Sequence, residues 1–185
     1  KAFNPNYPNK PENEDVNLVI KTFKPLKHNR DWEILKNFIK LDKRIIIIED
    51  NLDYKELMNL YGSCDALISL HRSEGFGRVI AECINLGLEI ITTNWGGNTD
   101  FCDNDSTYLV PYELIDVLPG TYPFWENQKW AEPNIEKAAE YIKDIFKGKR
   151  LNNEKFRTKT KNLFSIENRG NRYYERIKEI INNLS

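Results

Sequence analysis

Short unbroken aliphatic runs alternate along this chain with longer stretches whose apolar positions recur every three or four residues. The first run, NLVIKT at 17–22, predicts a strand, and Trp32, Leu35, Phe38 and Ile39 then share one side of a helix. RIIIIED at 44–50 carries a β-branched run, the pattern of a strand buried on both faces. Asp53, with Glu56 three residues on, forms a capping box that opens a helix with an inner face of Leu57, Leu60 and Tyr61. DALISL at 65–70 predicts another buried strand, GRVIAECINLG at 77–87 a helix stopped by Gly87, and EIITT at 89–93 a further strand. STYLV at 106–110 adds a short one.

Strands and helices alternating at this spacing make βαβ units. The expected fold class is therefore α/β: a Rossmann-like parallel sheet with helices on both faces. Residues 1–15 hold three prolines and little periodicity, and read as an irregular leading segment. Residues 111–130 (PYELIDVLPGTYPFWENQKW) are aromatic and proline-bearing, and predict a packed loop of a length that usually carries function. Asn134 caps a helix striped by Ile135, Ala138, Ala139, Ile142 and Ile145. A terminal helix over 165–185 is striped by Tyr173, Ile177, Ile180, Ile181 and Leu184, and both stripes are expected to be core.

Composition narrows the picture. With 185 residues and 40% hydrophobic content, residues 1–185 are expected to form a single domain around one core. The 27 basic and 28 acidic residues leave a net charge of -1, without the electrostatic footprint of a nucleic-acid or anionic-membrane binder. Cys64, Cys83 and Cys102 lack metal-like spacing and read as reduced thiols. No stretch approaches the ~18 apolar residues of a membrane span, and no signal-peptide pattern leads the chain, so a cytoplasmic protein is expected.

Candidate chemistry concentrates in HRSEGFGRVIAEC, residues 71–83, where seven residues separate Glu74 from Glu82. Ligands of open parallel sheets sit beyond the carboxyl ends of the strands, where His71–Glu74 fall. Gly75 and Gly77 let the backbone turn and approach a ligand, and the helix begins at Phe76 and Gly77 with unpaired amides that suit a phosphate. At ~100° per residue, Glu82 lies ~60° around from Val79, on the margin of the apolar stripe. There its carboxylate could accept from a pair of ribose hydroxyls, with Glu74 on the other side of the phosphate. Spacing alone leaves the ordinary alternative open: a glycine turn into a helix that bears a solvated glutamate.

Glu74-Gly75-Phe76-Gly77 followed by Glu82 resembles the E-x7-E motif of retaining glycosyltransferases with the GT-B fold, family 4 in kind. The likeness runs from NLVIKT to the end of the chain. It includes Asn94-Trp95-Gly96-Gly97-Asn98, where that family has a Gly-rich donor loop, and Trp130-Ala131-Glu132-Pro133, a tail element of one bacterial branch. The resemblance implies that this chain is the C-terminal, donor-binding half of a GT-B enzyme. Glu82 would bind the donor ribose, Glu74 would contact the transferred sugar, and His71 would join Glu74 in the catalytic group. The amides of Gly75, Phe76 and Gly77 would hold the diphosphate, Asn94, Gly96, Gly97 and Asn98 the sugar or phosphate side, and Asp50, Asn51 and Leu52 the base. The donor would be a nucleoside-diphosphate sugar, with no metal and no cofactor, since such enzymes stabilise the leaving nucleotide with a helix dipole and basic residues.

The sequence departs from that family in one respect. The acceptor half, and the strand and helix carrying an Arg and a Lys for the diphosphate, have no counterpart, although Lys21 ends a strand on the correct edge. An N-terminal acceptor domain is accordingly expected as a partner, in a role in polysaccharide or glycan synthesis, peripheral to the inner membrane face through that half. Two alternatives stay open: a GT-B epimerase or phosphorylase, and a non-catalytic nucleotide-binding module. Arg72 and Arg78 are further phosphate candidates, His28 reads as a loop residue, and Tyr122, Phe124 and Trp125 could cap a sugar face.

Overall fold

The computed structural model describes residues 16–23 and 30–184, with the side chains of Arg30, Asp31, Phe38 and Leu184 outside the description. The leading segment and His28 therefore lie outside the described residues. The described residues form two compact units, one within Lys1–Leu60 and Ile135–Lys149, the other within Tyr61–Asn134 and Arg150–Ser185.

In the first unit, β1 (Leu18–Lys21) pairs in parallel with β2 (Ile45–Ile48), with Leu18 opposite Ile45 and Lys21 opposite Ile48. The helix expected between them is α1 (Arg30–Ile39). A buried ion pair in the turn before β2 joins Asp42 to Arg44, and the guanidinium holds that carboxyl below its ordinary range. Helix α2 (Tyr54–Gly62), whose last two residues belong to the second unit, opens with the reciprocal capping box. The Glu56 amide donates to Asp53 Oδ1 and the Asp53 amide to Glu56 Oε2, each at 2.8 Å. Ile46 is exposed, unlike a strand covered on both faces. Helix α4 (Ile135–Phe146) completes this unit and buries Ala138 and Ile145.

The second unit is built on β3 (Ala66–Ser69), β4 (Glu89–Thr93) and β5 (Tyr108–Val110), all parallel, with β4 central and buried throughout. Helix α3 (Arg78–Leu86) crosses from β3 to β4 and packs Ile80, Ala81, Cys83 and Ile84 into the core. Gly87 ends it at φ 93°, and the amides of Gly87 and Leu88 close onto Ile84 and Cys83 carbonyls as the sequence predicts. The tail helices are α5 (Glu154–Phe164) and α6 (Ile166–Leu184). A buried carboxylate ties α5 down: Glu89 accepts from the amides of Leu151 (2.8 Å) and Asn152 (3.3 Å). Asn152 Nδ2 in turn donates to the carbonyls of Ile84 (3.1 Å) and Leu88 (2.6 Å).

Two expectations are corrected. Residues 111–130 are not simply a loop: β6 (Tyr112–Asp116) and β7 (Lys129–Pro133) form an antiparallel hairpin. Pro119 and Pro123 fall in its tip, where a missing amide breaks no ladder bond. The α6 stripe is not core either. Tyr173, Ile177, Ile180 and Ile181 are all exposed, because a 3.6-residue period shows that a helix has an apolar face without showing what covers it.

Candidate functional site

The second unit brings together His71, Glu74–Gly77, Glu82 and Asn94–Asn98 on the loops that follow β3 and β4 and on the helix between them. Lys21 and Asp50–Leu52 belong to the first unit. There Lys21 ends β1 with its ammonium on the Thr22 carbonyl (2.9 Å), and 50–52 follow β2 at its carboxyl end.

His71 is half-buried and bonded at both ring nitrogens. Nε2 lies 2.8 Å from the Trp95 carbonyl and Nδ1 3.1 Å from Ser69 Oγ. A carbonyl can only accept, so Nε2 carries a proton toward Trp95, while Nδ1 shares its bond with the serine hydroxyl. The Thr93 hydroxyl donates to the His71 carbonyl (2.8 Å), adding a second tie, from the end of β4 to the loop after β3.

A third tie is backbone to backbone. The Gly97 amide donates to the Glu74 carbonyl at 3.0 Å. A Cβ on Gly97 would lie 2.0 Å from the Gly75 carbonyl oxygen, and one on Gly96, at φ 95°, would lie 2.6 Å from the Glu74 carbonyl oxygen. Only glycines permit this approach. Asn98 is fully buried, donating to the Thr93 carbonyl (2.9 Å), while its Oδ1 has no hydrogen-bond partner. Asn94 is exposed, and its amide donates to Val110.

The helix starts two residues later than Phe76. Gly77 is the N-cap in the left-handed region (φ 87°), and no side chain caps α3. The Ala81 amide closes the first turn on the Gly77 carbonyl. Glu74 Oε1 accepts from the Phe76 amide (3.2 Å), so the first acid rests on one of the donors expected to face an anion. Gly75 is open, with nothing within 4 Å of where a Cβ would stand. The Phe76 ring turns away into a cluster with Phe101 (5.4 Å) and Phe164 (5.1 Å), and Arg169 lies over both Phe76 and Phe164. Glu82 sits at the margin of the buried stripe with its side chain 17% exposed, and Arg78 Nε donates to its Oε1 at 2.9 Å.

Sequence reading missed what surrounds Arg72. Its carbonyl accepts from the Ala131 amide (2.9 Å) and its guanidinium lies over the Trp130 ring (4.9 Å). Arg72 Nη2 is also 2.7 Å from Glu132 Oε2, without hydrogen-bond alignment, so the contact is an ion pair and not a directed bond. Trp95 packs its ring 5.2 Å from Tyr112. The hairpin is thus pinned to both site loops, and the only signal for it lay in the Trp130–Pro133 element. Tyr122 and Phe124 are exposed at its tip, and Trp125 is half-buried. Among the described residues no group of three His, Cys, Asp or Glu side chains gathers as a metal site would, and no helix is long and apolar enough to cross a membrane.

Comparison with known proteins agrees with this architecture. A glycosyltransferase from Rickettsia africae ESF-5 is 25% identical and superposes with a TM-score of 0.66, over 91% of this chain and 41% of that one. Sucrose-phosphate synthase from Thermosynechococcus elongatus is 15% identical at a TM-score of 0.65, over 90% and 39%. The Anabaena protein HepE, solved with UDP, is 18% identical at 0.60, over 89% and 41%. The chain therefore spans about two fifths of the length of these solved relatives. No curated protein sequence matches it. The profile of one family covers residues 10–118, more than half of the sequence. By that match, and with the α/β fold it shares with the Rickettsia glycosyltransferase, the chain belongs to the glycosyl transferases group 1 family.

Proposed function

We propose that this chain is the donor-binding part of a glycosyltransferase that uses a nucleoside-diphosphate sugar. One observation carries the reading: α3 opens on the uncapped Gly77 beside the open Gly75, between two carboxylates, Glu74 and Glu82. Uncapped helix amides at the positive end of a dipole favour a diphosphate. Beyond it, Glu82 accepts from the ribose hydroxyls with the oxygen that Arg78 leaves free of its Nε bond. A phosphate that took the Phe76 amide would release Glu74 from it toward the transferred sugar. That release couples donor arrival to the placing of the acid, whose negative charge then stabilises the sugar as it gains positive character. The UDP bound by the Anabaena relative supports a uridine donor as the first to test.

Transfer needs an acceptor hydroxyl held against the anomeric carbon. On this reading an acceptor-binding half joins the chain, the anomeric configuration is retained, and the product is a polysaccharide or glycan made at the cytoplasmic face of the membrane. Calorimetric titration of the chain with uridine, guanosine and thymidine diphosphates tests the reading. One of them is expected to bind, and Gly75→Ala and Glu82→Ala are each expected to weaken it. No heat with any of the three would sink the proposal.

A further inference from the structure

The β6–β7 hairpin carries a cavity that the donor reading does not use. Glu113 pairs across the ladder with Glu132, and Ile115 with Trp130, so these four side chains share one face. At the root of the hairpin lies a cavity of about 270 Å³, lined by Pro111, Tyr112, Glu113, Ile115, Glu132 and Pro133 among others. Close by in the ladder, Trp130 Nε1 is buried with no acceptor, although a buried indole N–H ordinarily finds one. The cavity adjoins both site loops. Tyr112 packs on Trp95, and Glu132 pairs with Arg72. Arg72 is two residues before Glu74, so their Cα atoms are no more than about 7 Å apart.

Such a lining suits one class of ligand. Two carboxylates accept from hydroxyl groups, and a phenol adds a further polar atom. Proline and isoleucine supply faces for C–H groups. Two acids and no basic residue line it, with Arg72 beside it paired to Glu132, so the lining repels phosphate. Its volume also falls below the ~300–1,000 Å³ of pockets for larger ligands. We infer that this cavity holds a neutral pyranose ring of the acceptor glycan, next to the donor sugar that Glu74 contacts. The inference rests on the glycosyltransferase reading for the word acceptor, but not for the binding of a sugar.

The test is nuclear magnetic resonance on the ¹⁵N-labelled chain, whose four tryptophans each supply an indole N–H signal. The probes are the methyl glycosides of glucose, galactose, mannose and N-acetylglucosamine. At least one is expected to shift the Trp130 and Trp95 indoles and the Glu113 amide saturably, leaving the Trp32 indole unmoved. Glu113 is exposed, so Glu113→Gln should fold normally, and it should weaken that binding by about tenfold, the scale of one charged hydrogen bond. Absence of these shifts with all four glycosides, or undiminished binding to Glu113→Gln, overturns the inference. Competition by UDP-glucose overturns the acceptor assignment, because the cavity would then hold the donor's own sugar. Uridine diphosphate is titrated into the same sample and read at the Gly75 and Gly77 amides. Nucleotide binding without glycoside shifts removes the cavity inference alone, and glycoside shifts without binding of any nucleoside diphosphate remove the donor reading alone.

Discussion

The imidazole of His71 holds the backbone carbonyl of Trp95 at 2.8 Å, the one side-chain contact by which His71 joins the loop after β3 to the loop after β4. With Nδ1 engaged by Ser69, the ring is fixed at both ends. His71→Ala removes the bridge and leaves a half-buried carbonyl with one donor fewer. The expected cost is about 1 kcal/mol of stability in urea melts, with weaker nucleotide binding as the Asn94–Asn98 loop loosens. Unchanged stability together with unchanged nucleotide affinity would show that the imidazole does not hold the loop.

Two neighbouring glycines should respond in opposite ways. A methyl on Gly97 meets the Gly75 carbonyl at 2.0 Å, so Gly97→Ala must drive the loops apart. A loss of about 1–3 kcal/mol is expected, the scale of overpacking a close contact. Gly75 has open space at the same point, so Gly75→Ala should change stability by no more than ~0.5 kcal/mol. Its methyl would instead stand where the diphosphate approaches, and nucleotide affinity should fall by at least about tenfold. Calorimetry and chemical denaturation on both variants check the contrast. Normal nucleotide binding by Gly75→Ala would move the diphosphate away from this loop.

The tail helices depend on Glu89. Glu89→Ala leaves the amides of Leu151 and Asn152 without their carboxylate, in a setting only 2% and 8% exposed at Glu89 and Asn152. The expected loss is about 2–3 kcal/mol of unfolding free energy, read from urea melts. Because α5 ends in Phe164, which packs on Phe76, amide exchange in the Glu74–Gly77 loop should quicken as well. Exchange confined to 150–164 would disconnect the tail from the site.

Much of this architecture was legible because it is local. The Asp53–Glu56 box and the Gly87 stop follow from residues within about a turn of each other, and the βα alternation from runs read one after another along the chain. The Glu74–Glu82 spacing and Gly96–Gly97 were legible in the same sense, as a glycine turn and a helix phase. What escaped depends on partners far apart in the chain. Arg72 meets Trp130 and Glu132 only once the hairpin forms, and the ladder itself was disguised by prolines and aromatics crowded into its tip. Nor could the pattern show that Glu74 would rest on the Phe76 amide, since that depends on the turn at Gly77.

Burial pushes the thiols of Cys83 and Cys102 up to about 12, with Glu82 adding to the effect at Cys83 and Thr107 opposing it at Cys102. Thiols near their ordinary ~8.5 in the unfolded chain ionise first as the pH rises, which favours unfolding. The native advantage is complete below about pH 8.5 and should be lost progressively toward pH 12. At pH 8, iodoacetamide mapped by mass spectrometry should leave both cysteines unmodified until urea unfolds the chain. Rapid alkylation of either one in the folded protein would contradict the burial argument.

The two carboxylates of the candidate site should separate into different roles. Glu82 is held at the stripe margin by Arg78, whose side chain is 75% exposed. Glu82→Ala should therefore cost nucleoside diphosphate binding about 1–3 kcal/mol through the lost ribose contact, while Arg78→Ala should change it little. Glu74→Gln acts elsewhere. Glutamine keeps the shape and one acceptor oxygen for the Phe76 amide, so the loop should stand, and affinity for the bare diphosphate should stay within about threefold, or ~0.7 kcal/mol. Turnover by the chain joined to its acceptor half should nevertheless fall by at least ~100-fold, because the lost charge would have stabilised a sugar that becomes positive only in the transition state. The decisive measurement is kcat beside diphosphate affinity for the same two variants. Should Glu74→Gln lose the diphosphate as badly as Glu82→Ala while its turnover at saturating donor survives, the roles given to the two acids are reversed.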